Sequence, residues 1–311
     1  MSTGLSHNEP GAPEFLILGA GALGRLWGGY LAPERVGFVP RKPTLGGHCR
    51  YRLKTDDGQA RSIEIPWHWP HPDHPPGLIL VTTKAQDTLS ALADILAEVP
   101  VVVPVVLFQN GMGSQQLVAR THPARPILAA STTESANRPD PGTVVHAGRG
   151  ETWVGALTTA GQACQDQVAA RLARSGLTVH QEADIQARLL RKVAINAGIN
   201  PFTALLDCHN GEILKHRFYL DHIDELCDEI AALMVKLGLA QDPGALRRQI
   251  EAVALATAGN TSSMLGDIRA GRGTEIDFIN GWIADQCQAR DLPARVNRLL
   301  TERVKAISPT Q

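Results

Sequence analysis

The chain has 311 residues, 43% of them hydrophobic and 20% charged, which is enough for about two domains with sizeable cores. Thirty basic residues against 31 acidic ones leave a formal net charge of −1, which argues against nonspecific nucleic-acid binding. No apolar run reaches the length of a membrane span, and the first residues, through about Pro13, lack the apolar stretch of a secretory signal.

Those thirteen residues, polar and rich in Gly and Pro, read as a tail. Phe15-Leu16-Ile17-Leu18 has the pattern of a buried parallel strand. It runs into Gly19-Ala20-Gly21-Ala22-Leu23-Gly24, and the residues from Arg25 onward can continue as helix. This is G-x-G-x-x-G placed between a strand and a helix, where it carries meaning. The first Gly permits the tight turn, the second admits a pyrophosphate to the backbone, and the third lets helix and strand pack closely. A dinucleotide is therefore expected there.

A second strand over residues 35–40 ends in Arg41-Lys42, with no acid nearby. An NAD site usually places Asp or Glu at this point; two cations instead suit the 2′-phosphate of NADPH. A hairpin is expected over 49–65, turning at Asp56-Asp57-Gly58. Trp67-His68-Trp69-Pro70-His71-Pro72-Asp73-His74-Pro75-Pro76 invites a metal reading, but the prolines forbid a helix that would align the histidines. A surface loop with aromatic anchors is the reading, with no metal. The five cysteines, Cys49, Cys164, Cys208, Cys227 and Cys287, also lack metal-ligand spacing and read as free thiols of a reducing cytoplasm.

Strands are expected over 78–83 and 101–108, separated by a helix over 88–98, and then over 127–131, 143–146 and 152–157. A helix at 164–175 and a strand at 177–180 complete this half. Alternating strand and helix imply an α/β doubly wound sheet whose ligands gather beyond the carboxyl ends of the strands. Lys84 and Asn110 both fall at such ends.

After about residue 183 the pattern turns helical, with helices expected at 185–200, 222–237, 244–258, 264–270, 277–290 and 296–307. The domains are accordingly set at 1–183 and 184–311. In the first helix Lys192, Asn196 and Asn200 recur every fourth residue among Leu, Val, Ile and Ala, which makes one polar stripe. An ammonium and two amides are costly to bury without partners, and a small polar ligand or neighbouring backbone would serve. Ser262, Ser263 and Thr274 read equally well as helix caps.

Taken together these segments resemble one family, the ketopantoate reductases. The resemblance rests on the glycine fingerprint, Val81-Thr82-Thr83-Lys84-Ala85 and Gln109-Asn110-Gly111-Met112-Gly113. It continues through Arg191-Lys192-Val193-Ala194-Ile195-Asn196, Ile199-Asn200-Pro201, Asn210-Gly211-Glu212, Ser262-Ser263-Met264 and Thr274-Glu275-Ile276-Asp277. The resemblance implies an N-terminal Rossmann domain, an all-helical C-terminal domain and NADPH-dependent reduction of a small 2-oxo acid between them. By the same resemblance Lys192 matches the catalytic lysine, Glu275 an essential carboxylate that also meets the cofactor, and Asn110 an asparagine near lysine and nicotinamide. Asn196, Asn200, Asn210 and Ser263 match substrate contacts. Gly19, Ala20, Gly21, Ala22, Leu23, Gly24, Arg41 and Lys84 match the cofactor side. On this reading Glu275 keeps Lys192 protonated against desolvation.

The chain departs from the family in its tail, in the loop around His71, and in the glycines Gly271 and Gly273 that flank Arg272. A reductase of another 2-oxo acid, and more remotely an NADPH sensor, stay open as alternatives, as does the choice between monomer and homodimer. No nucleic acid or membrane partner is expected.

Overall fold

A computed structural model describes residues 11–43 and 46–309; the expected tail lies, through residue 10, outside them. The strands are β1 (Phe15–Leu18), β2 (Val36–Phe38), β3 (His48–Lys54), β4 (Ala60–Pro66), β5 (Leu78–Val81) and β6 (Val105–Leu107). They continue as β7 (Ile127–Thr132), β8 (Ser135–Asp140), β9 (Thr143–Gly148), β10 (Glu151–Ala156) and β11 (Thr178–Gln181). The chain divides into two compact units, one holding the residues before Asn110 with Gln115–Ile185, the other Asn110–Ser114 with Gln186–Gln311.

The first unit is built on a seven-stranded sheet in the order β11-β10-β7-β6-β5-β1-β2. Its central pairs are parallel, and β10 runs antiparallel to β7. Because successive side chains alternate across a strand, Phe15 and Ile17 enter one apolar layer while Leu16 and Leu18 enter the other. Leu78 and Leu80 divide from Ile79 and Val81 in the same way, which is why these strands read as unbroken apolar runs. The helix Ala22–Leu31 crosses from β1 to β2, whereas β5 pairs on the other side of β1. The carboxyl ends of β1 and β5 thus flank the point where strand order reverses, the ligand end of a Rossmann-type sheet.

Three local readings need correction. The strand expected over 101–108 shrinks to β6, since Val103 N closes a turn on Pro100 O, leaving Val101 and Val102 exposed. Pro100 and Pro104 bracket that turn, and neither can donate to a sheet ladder. The helix Ser114–Thr121 and strand β8, both polar, carry little periodic apolar signal and go unforeseen. The expected hairpin is present as β3 and β4, but it belongs to a separate four-stranded sheet, β4-β3-β9-β8, completed from residues far along the chain. His146 of β9, buried, bonds Glu134 at 2.6 Å and the Tyr30 hydroxyl at 2.8 Å, pinning this sheet to the Ala22–Leu31 helix.

The loop of tryptophans and histidines is anchored as its composition suggests. Trp67 bridges to Phe38 with ring centroids 6.0 Å apart, and Trp69 packs against the layer containing Leu18 and Val39.

In the second unit the helices of eight or more residues are Ile185–Ala197, Ile223–Lys236, Pro243–Ala256, Asn280–Gln288 and Arg295–Ile307. The helix expected over 185–200 ends at Ala197, and a new one, Asn200–Leu206, begins after Ile199 leaves helical geometry. Pro201 explains the break, because it has no N–H to offer the Ala197 carbonyl and its ring disfavours helical geometry at the residue before it. Likewise the helix expected over 277–290 splits into a single turn, Ile276–Phe278, and the helix Asn280–Gln288. Among the described residues no helix is long and apolar enough to cross a membrane.

Candidate active site

In the first unit the glycine fingerprint forms the turn after β1. Gly19 has φ +110°, and a Cβ there would lie 2.8 Å from Thr83 N. A Cβ on Gly24 would fall 1.9 Å from Gly19 O. Around Gly21, by contrast, no atom of the described residues beyond its own stretch of chain lies within 4 Å of where a Cβ would be, which leaves room for a ligand's close approach. Gly21 starts the Ala22–Leu31 helix without a side-chain cap, and the amides of the first turn suit a phosphate. The residues present therefore fit a dinucleotide pyrophosphate.

Thr82 braces this turn, its hydroxyl donating to Gly19 O at 2.7 Å. Lys84 lies two residues beyond, at the start of the turn Ala85–Asp87. Gln109, buried at the end of β6, donates from Nε2 to Val81 O at 3.0 Å and Thr83 O at 3.2 Å, and the buried Gln115 donates to Gln109 O at 2.9 Å. Thr82 and Gln109 enter the sequence reading only within quoted motifs and Gln115 not at all; for the first two the signal was a polar side chain just past an apolar strand. Arg41 and Lys42 are exposed, three and four residues past β2.

In the second unit Lys192 and Asn196 share the Ile185–Ala197 helix, and both keep part of their surface accessible. Asn200 leaves their stripe because of the break and is buried at the head of the following helix, its carbonyl accepting from the Thr203 hydroxyl at 2.8 Å. Glu275 is buried in the loop that enters the turn Ile276–Phe278. Burial pushes the Lys192 ammonium down to about 8, and the Glu275 carboxylate offsets only part of that. Desolvation thus outweighs the carboxylate in setting the direction of the shift. At pH 7 such a lysine is still about 90% protonated, yet it gives up its proton far more readily than an ordinary one.

The segment Asn110–Ser114 packs against Phe278, three residues past Glu275. Met112 N donates to Phe278 O at 2.8 Å, and a Cβ on Gly111 would collide with that same carbonyl at 2.4 Å. Asn110 is thereby tied through two residues to the stretch that carries Glu275.

Asn210 is buried, with Nδ2 donating to the Thr257 hydroxyl at 2.8 Å and its backbone N–H to Asn260 O at 3.1 Å. Among the described residues its Oδ1, buried, has no hydrogen-bond partner, an acceptor ready for a donor group. Of the two serines, the buried Ser262 is the helix cap, accepting from Leu265 N at 3.1 Å and pairing with Thr203 at 2.7 Å. Ser263, the candidate contact, is exposed at the first helical position. Thr274 does not cap; Glu275 takes the position before the turn. Arg272 bonds the buried Asp267 at 3.0 Å, so the glycines beside it border a pinned turn.

One further residue of this unit was missed. Asn280, fully buried, donates from Nδ2 to Ala197 O at 3.3 Å and to Asn297 Oδ1 at 3.0 Å. The signal was an amide inside the apolar stretch Phe278-Ile279-Asn280-Gly281-Trp282-Ile283.

Two family models together cover most of the chain. Ketopantoate reductase PanE/ApbA matches residues 15–159, and Ketopantoate reductase PanE/ApbA C terminal matches residues 184–308. The 2-dehydropantoate 2-reductase of Shigella flexneri is 34% identical over 293 residues, spanning 93% of each chain. Its namesake from Archaeoglobus fulgidus is 33% identical over 293 residues, covering 94% of this chain and 96% of its own. A solved ternary structure of D-mandelate dehydrogenase with NADH and anilino(oxo)acetate shares the fold at TM-score 0.83 and 24% identity, over 94% of this chain and 98% of that one. With a glycine turn at the switch point of a Rossmann-type sheet and a helical unit in which the Glu275 carboxylate acts on the Lys192 ammonium, the chain belongs to the ketopantoate reductase PanE/ApbA family of oxidoreductases.

Proposed function

We propose that this protein reduces 2-dehydropantoate (ketopantoate) to pantoate with NADPH, a step of pantothenate and coenzyme A biosynthesis, in the cytoplasm. The observation that carries the reading is the desolvated Lys192 ammonium beside the buried Glu275 carboxylate, in a chain whose curated relatives are named for this reaction. The first unit is the cofactor domain and the second the substrate and catalytic domain. Gly19, Ala20, Gly21, Ala22, Leu23 and Gly24 would hold the pyrophosphate, Arg41 the 2′-phosphate, and Lys84 the cofactor side of the site. When bound, NADPH supplies the hydride for C2 of the ketone.

This chain's residues supply the rest. Lys192 donates a hydrogen bond to the ketone oxygen and then its proton to the nascent alkoxide, so the new C2 oxygen leaves as a hydroxyl. General-acid help of this kind is worth about 10²–10⁴ in rate. Lowering the lysine toward 8 brings donor strength close to neutral operating pH, where Brønsted behaviour favours it. Asn110 positions the lysine against the nicotinamide side. Asn196, Asn200, Asn210 and Ser263 bind the substrate as neutral hydrogen-bonding groups, and Glu275 accepts its 4-hydroxyl.

The fold shared with D-mandelate dehydrogenase makes another 2-oxo acid the second reading. A panel of oxo acids separates the two. A hydrogen-bonded hydroxyl subsite favours ketopantoate over its analogue lacking the 4-hydroxyl by up to about 10⁴ in kcat/KM. Equal kcat/KM for both would refute the 4-hydroxyl assignment.

A further inference from the structure

Pro201 leaves the carbonyl of Ala197, at the end of the Lys192 helix, without a helical N–H. That carbonyl is met by the Asn280 side chain at 3.3 Å. Asn280 lies five residues after Glu275, at the start of the helix Asn280–Gln288. Its amide therefore joins the helix that carries Lys192 to the segment that carries Glu275.

The direction of the amide is dictated from behind. Glu229, from the helix Ile223–Lys236, accepts Val296 N at 2.8 Å, Asn297 N at 3.0 Å and Asn297 Nδ2 at 2.8 Å. A carboxylate in that position requires Asn297 to present its NH₂ group to it, which turns Asn297 Oδ1 toward Asn280. Asn280 must then offer its own NH₂, whose two hydrogens serve Asn297 and Ala197. Asn280 and Asn297 are fully buried and Glu229 is 1% exposed, so no water competes for these bonds.

We propose that Asn280 is a positioning residue of the reaction, its amide setting the spacing between Lys192 and Glu275 by tying Ala197 to the Glu275 segment, with Glu229 and Asn297 fixing its orientation. The inference rests on the reading of Lys192 as the proton donor. Two consequences separate it from ordinary core packing. Loosening the tie weakens the carboxylate's hold on the ammonium, so the lysine releases its proton at lower pH. Chemistry suffers, while NADPH binding, whose pyrophosphate and 2′-phosphate contacts are assigned to the other unit, changes little.

The test compares Asn280→Ala, and the milder Asn280→Ser that keeps a short donor, with Val304→Ala, a buried substitution in the same unit outside this chain of bonds. Two readouts are taken: the pH profile of kcat/KM for ketopantoate, and the titration of Lys192 followed by NMR in the protein without cofactor. Expected for Asn280→Ala are a kcat lower by roughly 10-fold or more and a KM for NADPH within about 2-fold of wild type. The lysine titration and the basic limb should both move to lower pH, and Asn280→Ser should move them less. Val304→Ala should leave both in place.

An unmoved or upward-moved titration, an equal shift in Val304→Ala, or failure of both Asn280 variants to fold overturns the proposal, the last because the amide would then hold the fold and not the pair. Wild-type protein inert toward ketopantoate would instead defeat the functional reading, while the NMR comparison would still decide the positioning claim.

Discussion

Lys192 is the residue on which the proposed chemistry turns. Its ammonium is lowered to about 8 by burial, so the proton donor is intact below that pH and disappears above it. With ketopantoate and NADPH, kcat should be level near neutrality and fall tenfold per pH unit well above 8. Glu275 works in the opposite direction to burial, which fixes the sign for its removal: Glu275→Gln should bring the basic limb to lower pH. Glu275→Ala should also raise KM for ketopantoate far more than KM for NADPH; equal increases would point to a global role.

The glycines give a second contrast. Gly24→Ala forces a Cβ to within 1.9 Å of Gly19 O and should destabilise the protein by about 1–3 kcal/mol or more, visible in thermal unfolding. Gly21→Ala meets no atom of the described residues beyond its own stretch of chain, so stability should stay within about 0.5 kcal/mol while KM for NADPH rises.

These residues were legible to different degrees. The fingerprint could be read because its spacing serves a local turn. The direction of the Lys192 shift could not, because it depends on how much protein surrounds the ammonium, a property of the folded unit.

At the scale of elements, apolar periodicity identified what stands on its own and misjudged what depends on neighbours. β1 and β5 are buried on both faces and announce themselves as continuous apolar runs. β8 is largely exposed and polar, held by pairing with β9, so its own residues carry no sign of a strand. The stripe of Lys192, Asn196 and Asn200 assumed one uninterrupted helix, and Pro201 was the clue that it ends sooner. Where a helix does begin, capping chemistry was readable but ambiguous between adjacent serines. Ser262 is the cap, so Ser262→Ala should cost about 1–2 kcal/mol in denaturant unfolding, whereas Ser263→Ala, exposed, should cost little stability.

For the whole molecule, the order sheet unit then helical unit followed from the change in periodicity near residue 183. The short segment Asn110–Ser114 breaks that simple division, since it follows β6 in sequence and belongs with the helices. Gly111 and Met112 fit it against Phe278, a long-range contact that no local pattern encodes.

Cofactor choice is also a property of the assembled chain. With Arg41 and Lys42 past β2, where an NAD site would carry an acid, NADPH should be preferred over NADH, and Arg41→Ala should narrow that preference by raising KM for NADPH alone.

Turnover of Lys192→Ala with NADPH and ketopantoate, followed by the loss of NADPH absorbance, bears most directly on the claim that one desolvated lysine donates the proton. In this variant kcat should fall by about 10²–10⁴ while NADPH binding stays near wild type. A variant that oxidises NADPH at close to the wild-type rate would contradict it.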